Sequence, residues 1–157
     1  MTPRGLLAFF HVVGVVLWLG GAFAVMVAAL AAKREPPPAR AAVFRALGRV
    51  HARLIGPGAL LTVATGLVLV MVFVNAGLGE RLGLPAMSVM MGTGLVAGLL
   101  ALFVGLPTAQ KVAALAVVDE QGNFPPAFER LRSRLAVVSS VTGVLALVAL
   151  YFGVVGA

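Results

Sequence analysis

The chain has 157 residues, 61% of them hydrophobic and 11% charged, with a mean hydropathy of +1.09. That is more apolar surface than a soluble domain of this length can bury, so the excess must face lipid. A net charge of +7, carried by basic residues gathered between apolar blocks, reads as a topology signal rather than as a nucleic-acid contact. With no cysteine, the chain has no disulfide, no thiolate metal site and no cysteine nucleophile.

A hydrocarbon core about 30 Å thick needs roughly 20 apolar residues of helix. Four long runs meet that need: Gly5 to Ala32, Leu54 to Leu78, Leu82 to about Gln110, and Leu135 to Ala157. They are continuously apolar rather than alternating, which argues for helices and against barrel strands. Ala29 to Ala32 offers small residues beside a conceivable cleavage point, but the first apolar stretch is too long for a signal-peptide core and is read as helix 1. The helices are expected at about 5–32, 50–77, 83–117 and 130–156.

The first connection holds Lys33, Arg34, Arg40, Arg45, Arg49 and Arg53 with Pro36, Pro37 and Pro38. It should begin as a stiff turn and re-enter a helix on which Arg45, Arg49 and Arg53 share one face. The second, Asn75 to Gly83, has only Glu80 and Arg81 as charges and reads as a tight hairpin. The third carries Lys111, Asp119, Glu120, Glu129, Arg130, Arg132 and Arg134 around a turn at Gln121 to Pro126. Helix 3 should run past Pro107 and leave the bilayer near Lys111, with Val112 to Val118 at the interface. Of the 12 lysines and arginines, all but Arg4 and Arg81 belong to the first and third connections. The positive-inside rule therefore implies an all-α integral membrane protein, a four-transmembrane-helix up-down bundle forming a single domain with both termini on the outer side. In a bacterial plasma membrane the termini would be periplasmic, and loops 33–53 and 111–134 cytoplasmic.

Inside such a bundle, glycines and small hydroxyl residues mark close helix approach. Gly14, Trp18 and Gly21 share a face of helix 1, and Gly58, Thr62, Thr65 and Gly66 mark helix 2. Helix 3 has Gly94 and Gly98 in a G-x-x-x-G, and Ser139, Ser140, Thr142 and Gly143 cluster in helix 4. Pro57 implies a kink near the start of helix 2.

The chain has two histidines, and their depths differ. His11 sits about 9 Å along helix 1 from Gly5, on the face of Gly14, Trp18 and Gly21, and so points into the bundle. An imidazole there needs a hydrogen-bond partner, a proton role or a metal. His51, among arginines at the opposite end, is expected to be solvated or to face phosphate. At a depth comparable to His11, helix 3 carries Met87, Met90 and Met91, with Met87 and Met91 as i,i+4 neighbours. Imidazole with thioether suits haem iron or copper(I), while methionine in apolar helices is also ordinary core filler. No carboxylate lies within a span, and neither a Ser/His/Asp arrangement nor a phosphate-cradling glycine loop is present, which argues against a self-contained hydrolase or kinase.

The stretch Phe10-His11-Val12-Val13-Gly14-Val15-Val16-Leu17-Trp18-Leu19-Gly20-Gly21-Ala22-Phe23 resembles helix 1 of the HemJ-type protoporphyrinogen oxidases and the related CopD-like membrane proteins. Arg53-Leu54-Ile55-Gly56-Pro57-Gly58 resembles the start of helix 2 in the HemJ type, and Thr62 to Gly66 is similar to a Thr-Gly ending of CopD-like domains. The resemblance implies a four-helix bundle binding b-type haem, with His11 as axial ligand, and a protoporphyrinogen-oxidase-like activity. The chain departs from the pattern where the HemJ type carries a functional lysine early in helix 3, since Met87, Ser88, Val89, Met90 and Met91 stand there. The CopD-like resemblance implies copper handling instead.

The leading expectation is a small b-type cytochrome-like membrane protein with a redox or electron-transfer role. Its cofactor-binding set is His11, Trp18, Met87, Met90 and Met91; for copper the metal set is His11, Met90 and Met91. Arg49 and Arg53 lie too far from His11 to meet the propionates of the same haem. A second expectation is a cofactor-free accessory subunit, packed by its glycine faces into a larger membrane redox or photosynthetic complex or into a homo-oligomer. In a simple ring of helices, a His11–methionine pair requires contact across the bundle's diagonal.

Overall fold

The computed structural model describes residues 2–155. The described residues are helical with short connections, and four helices are long and apolar enough to cross a membrane: α1 (Pro3–Arg34), α2 (Pro37–Asn75), α3 (Pro85–Ala114) and α4 (Pro126–Val155). Each helix opens on proline, whose fixed φ suits the first turn and whose missing N–H is not needed there. Thr2 adds a cap to α1, its Oγ1 accepting from the Gly5 N–H at 3.1 Å. The short connections turn at Gly77 (φ 71°) and Gly122 (φ 81°), a left-handed backbone that only glycine adopts without cost. Asp119 braces the second turn by accepting from the Asn123 N–H at 2.7 Å.

Helix bounds differ from the sequence expectation by more than two residues at three places. Helix α2 starts at Pro37 instead of near 50, because its first turns are amphipathic: Ala41, Phe44, Leu47 and Gly48 are buried while Arg45, Arg49 and Arg53 face outward. Helix α3 stops at Ala114 rather than 117, and Arg45 then donates to the freed Ala116 carbonyl at 2.6 Å. Helix α4 begins at Pro126 rather than 130, and its expected last residue, 156, lies outside the described residues. The basic end is thus a packed cap in which Phe44, Val112, Ala116 and Phe128 are buried together, with Phe124 stacked on Phe128 at 4.3 Å.

The bundle is antiparallel, built from hairpins α1/α2 and α3/α4. Helices α1 and α2 touch backbone to backbone: a Cβ on Gly14 would lie 2.8 Å from the Thr62 nitrogen, and one on Gly58 would lie 2.7 Å from the Trp18 nitrogen. Gly94 faces Ala149 of α4, whereas Gly98 faces Val63 of α2, so the two glycines of the G-x-x-x-G serve different neighbours. A layer of Trp18, Leu19, Ile55, Ala59, Ala97, Ala101 and Ala146 joins the four helices at mid-height.

Both internal prolines follow a π-helical turn. His51–Ile55 in α2 closes with the Gly56 N–H on the His51 carbonyl just before Pro57, and Ala101–Gly105 in α3 closes with the Leu106 N–H on the Ala101 carbonyl just before Pro107. The wider turn absorbs the proline ring and its missing donor without ending the helix. The two turns face each other, since a Cβ on Gly56 would lie 3.2 Å from a Leu106 methyl.

Candidate cofactor site

His11 projects from α1 onto α2, where Gly66 leaves room for it: a Cβ there would lie 3.2 Å from His11 Cε1. Its Nδ1 lies 3.1 Å from Thr65 Oγ1. Thr65 gives its one hydroxyl proton to the Leu61 carbonyl at 2.5 Å, so toward His11 it acts as acceptor. Nδ1 therefore carries the ring proton. In the neutral ring Nε2 is left with its lone pair, and it makes no hydrogen bond among the described residues.

A cleft of about 600 Å³ between the hairpins is lined by His11, Trp18, Met87, Met90 and Met91 together. The sequence-derived set is thus brought to one cavity from helices that do not pack directly on each other, by diagonal approach across the bundle. The methionines are half-buried. Met90 also serves packing: its sulfur would be 3.0 Å from a Cβ on Gly153, so it fills the α3/α4 contact. Met87 and Met91 have no such glycine seat. Trp18, only 4% exposed, forms the floor, its ring edge 4.0 Å from where a Gly98 Cβ would stand.

Helix 4 differs from expectation. Of Ser139, Ser140, Thr142 and Gly143 only Thr142 is buried; both serines are exposed and Gly143 faces open space. His51 also departs from its expected solvated position, being 6% exposed with Nδ1 3.0 Å from the Leu47 carbonyl. Arg49 and Arg53 are exposed and stand away from the His11 cleft.

Sequence reading overlooked Arg4. Its guanidinium lies 4.3 Å from the centre of the Phe73 ring, a wall of the cleft, so a positive charge stands beside the cleft at the end away from the basic cap. The signal was available: Arg4 and His11 are i,i+7, two turns apart on one helix face. Among the described residues no three His, Cys, Asp or Glu side chains converge on a metal-sized space. Any metal here would rest on imidazole and thioether. The chain matches no protein-family model, and no curated protein or solved structure matches it with significance.

Proposed function

We propose that the chain is a four-span membrane protein that holds a b-type haem in the His11 cleft and has an electron-transfer role. The observation that carries this reading is the state of His11: Thr65 fixes its Nδ1, which leaves Nε2 as a ligand lone pair in the cleft shared with three thioethers. The donor set fits haem iron, and the cleft volume of about 600 Å³ falls in the range of small-molecule sites. His11 with Met87 or Met91 would hold it, Trp18 would give a flat apolar floor, and Arg4 would partner a carboxylate at the mouth. Bound there, haem would supply one-electron chemistry. The same donors would take copper(I), which is colourless and separable by metal analysis.

The membrane reading rests on the four apolar helices and on the charge bias between their ends. It places the basic cap in the cytoplasm and both termini outside, in a plasma membrane. A second reading, an accessory subunit, is favoured by Gly20, Gly92 and Gly143, each with open space where a Cβ would stand and so able to seat a partner helix.

A reduced-minus-oxidised visible spectrum of the detergent-purified protein, with and without His11→Ala, tests the haem reading. A sharp α-band lost in the variant is expected. Its absence from protein made in haem-replete cells would overturn the reading in favour of the accessory subunit.

A further inference from the structure

A second cleft, of about 430 Å³, lies on the basic side of the Trp18 layer. Two deeply buried polar groups line it. His51 is 6% exposed, and since its Nδ1 donates to the Leu47 carbonyl, which can only accept, Nε2 is an acceptor in the neutral ring. Thr142 is 5% exposed, and its Oγ1 has no hydrogen-bond partner. A buried hydroxyl with no partner is uncommon and costly, and it points to a group that completes it.

The two groups sit at one depth. Ile55 and Ala146 belong to the same core layer; His51 is one turn before Ile55 on α2, and Thr142 one turn before Ala146 on α4, both toward the basic end. The π turns supply the wall between them, since His51, Ile55, Ala101 and Gly105 all line this cleft. Such turns recur at functional sites because they redirect side chains. Toward the side, the cleft is bordered by Phe23 and Met26 of α1 and by Val144 and Leu147 of α4, all exposed, so its side wall between α1 and α4 is apolar. Arg132 and Lys33 border the basic end; Glu129 holds Arg132 at 2.7 Å, and Lys33 is exposed.

We propose that this cleft binds a quinol: an apolar ring bearing two hydroxyls and a lipid-soluble tail. One hydroxyl donates to His51 Nε2 and the other accepts from Thr142 Oγ1, with the tail passing between α1 and α4. A simple alcohol has one oxygen for the two groups and no ring to fill the apolar cleft, and a carboxylate offers no proton to His51. The site shares the Trp18 and Leu19 wall with the His11 cleft but none of its donor groups, and it does not depend on the haem reading.

Calorimetric titration of the whole protein in phosphatidylcholine nanodiscs, under anaerobic conditions, tests this with decylubiquinol, decylubiquinone and palmitate. Saturable quinol binding is expected, roughly tenfold tighter than the quinone, which has no proton for His51. Thr142→Val should loosen quinol about fivefold or more without unfolding the chain, because that hydroxyl bonds to nothing in the protein. His51→Gln should weaken it as well, and His11→Ala should leave it unchanged. Absent saturable binding, binding indifferent to Thr142→Val, or displacement by palmitate at equal concentration would each overturn the proposal.

Discussion

Thr65 holds His11 by one ring nitrogen and leaves the other to the cleft: its Oγ1 is 3.1 Å from Nδ1, and its proton is committed to the Leu61 carbonyl. Thr65→Val keeps the shape and removes the acceptor. Nδ1–H then loses its side-chain partner, and the tautomer and ring orientation are held less firmly. Haem affinity is expected to fall about 10- to 100-fold, read by haemin titration of the apoprotein, with helix content unchanged. Equal affinity in the variant would remove Thr65 from the account.

The three thioethers are expected to separate by role. Met90 presses on Gly153, while Met87 and Met91 line the cleft without such a seat. Met→Leu nearly conserves volume and costs less than about 1.5 kcal/mol, so a change in spectrum is attributable to the sulfur. Either Met87→Leu or Met91→Leu should lower the midpoint potential in a redox titration, since methionine ligation raises it. Met90→Leu should leave the potential in place. If none of the three moves it, the second ligand is not a methionine.

Gly14 and Gly58 allow α1 and α2 to meet along their backbones, and no side chain at either position has room. Alanine at either should force the helices apart and cost about 1–3 kcal/mol, seen as a lower midpoint of thermal unfolding in detergent. Gly20→Ala and Gly143→Ala have open space and should leave that midpoint unchanged or slightly higher. Should all four behave alike, backbone contact does not hold the first hairpin.

The spans were legible because continuous apolarity over 20 residues has few other uses, and His11 was legible because its helix face also carries Gly14 and Trp18. Its partner Thr65 was visible only as a small polar residue of helix 2, since the pairing depends on how the two helices are rotated. The helical start of α2 is legible from Arg45, Arg49 and Arg53 on one face, but its buried face of Ala41, Phe44 and Leu47, which joins it to the span from Pro37, is hidden among those charges. His51 was misplaced for the same reason. Its neighbours Arg49 and Arg53 are exposed, yet His51 follows Phe44 and Leu47 at helical spacing and continues their buried face.

The proposed orientation in the membrane rests on charge and can be tested directly, because the chain has no native cysteine. Glu80 and Gln121 are exposed and sit in connections at opposite ends of the bundle. Apart from Arg4 and Arg81, the 12 basic residues lie toward the Gln121 end, and lysine or arginine near short loops resists translocation. In intact cells or spheroplasts an impermeant maleimide should therefore label Glu80→Cys, and should label Gln121→Cys only after the membrane is opened. The reverse pattern would invert the orientation and place the mouth of the His11 cleft at the cytoplasmic face. Labelling of both before opening would show that the helices do not span.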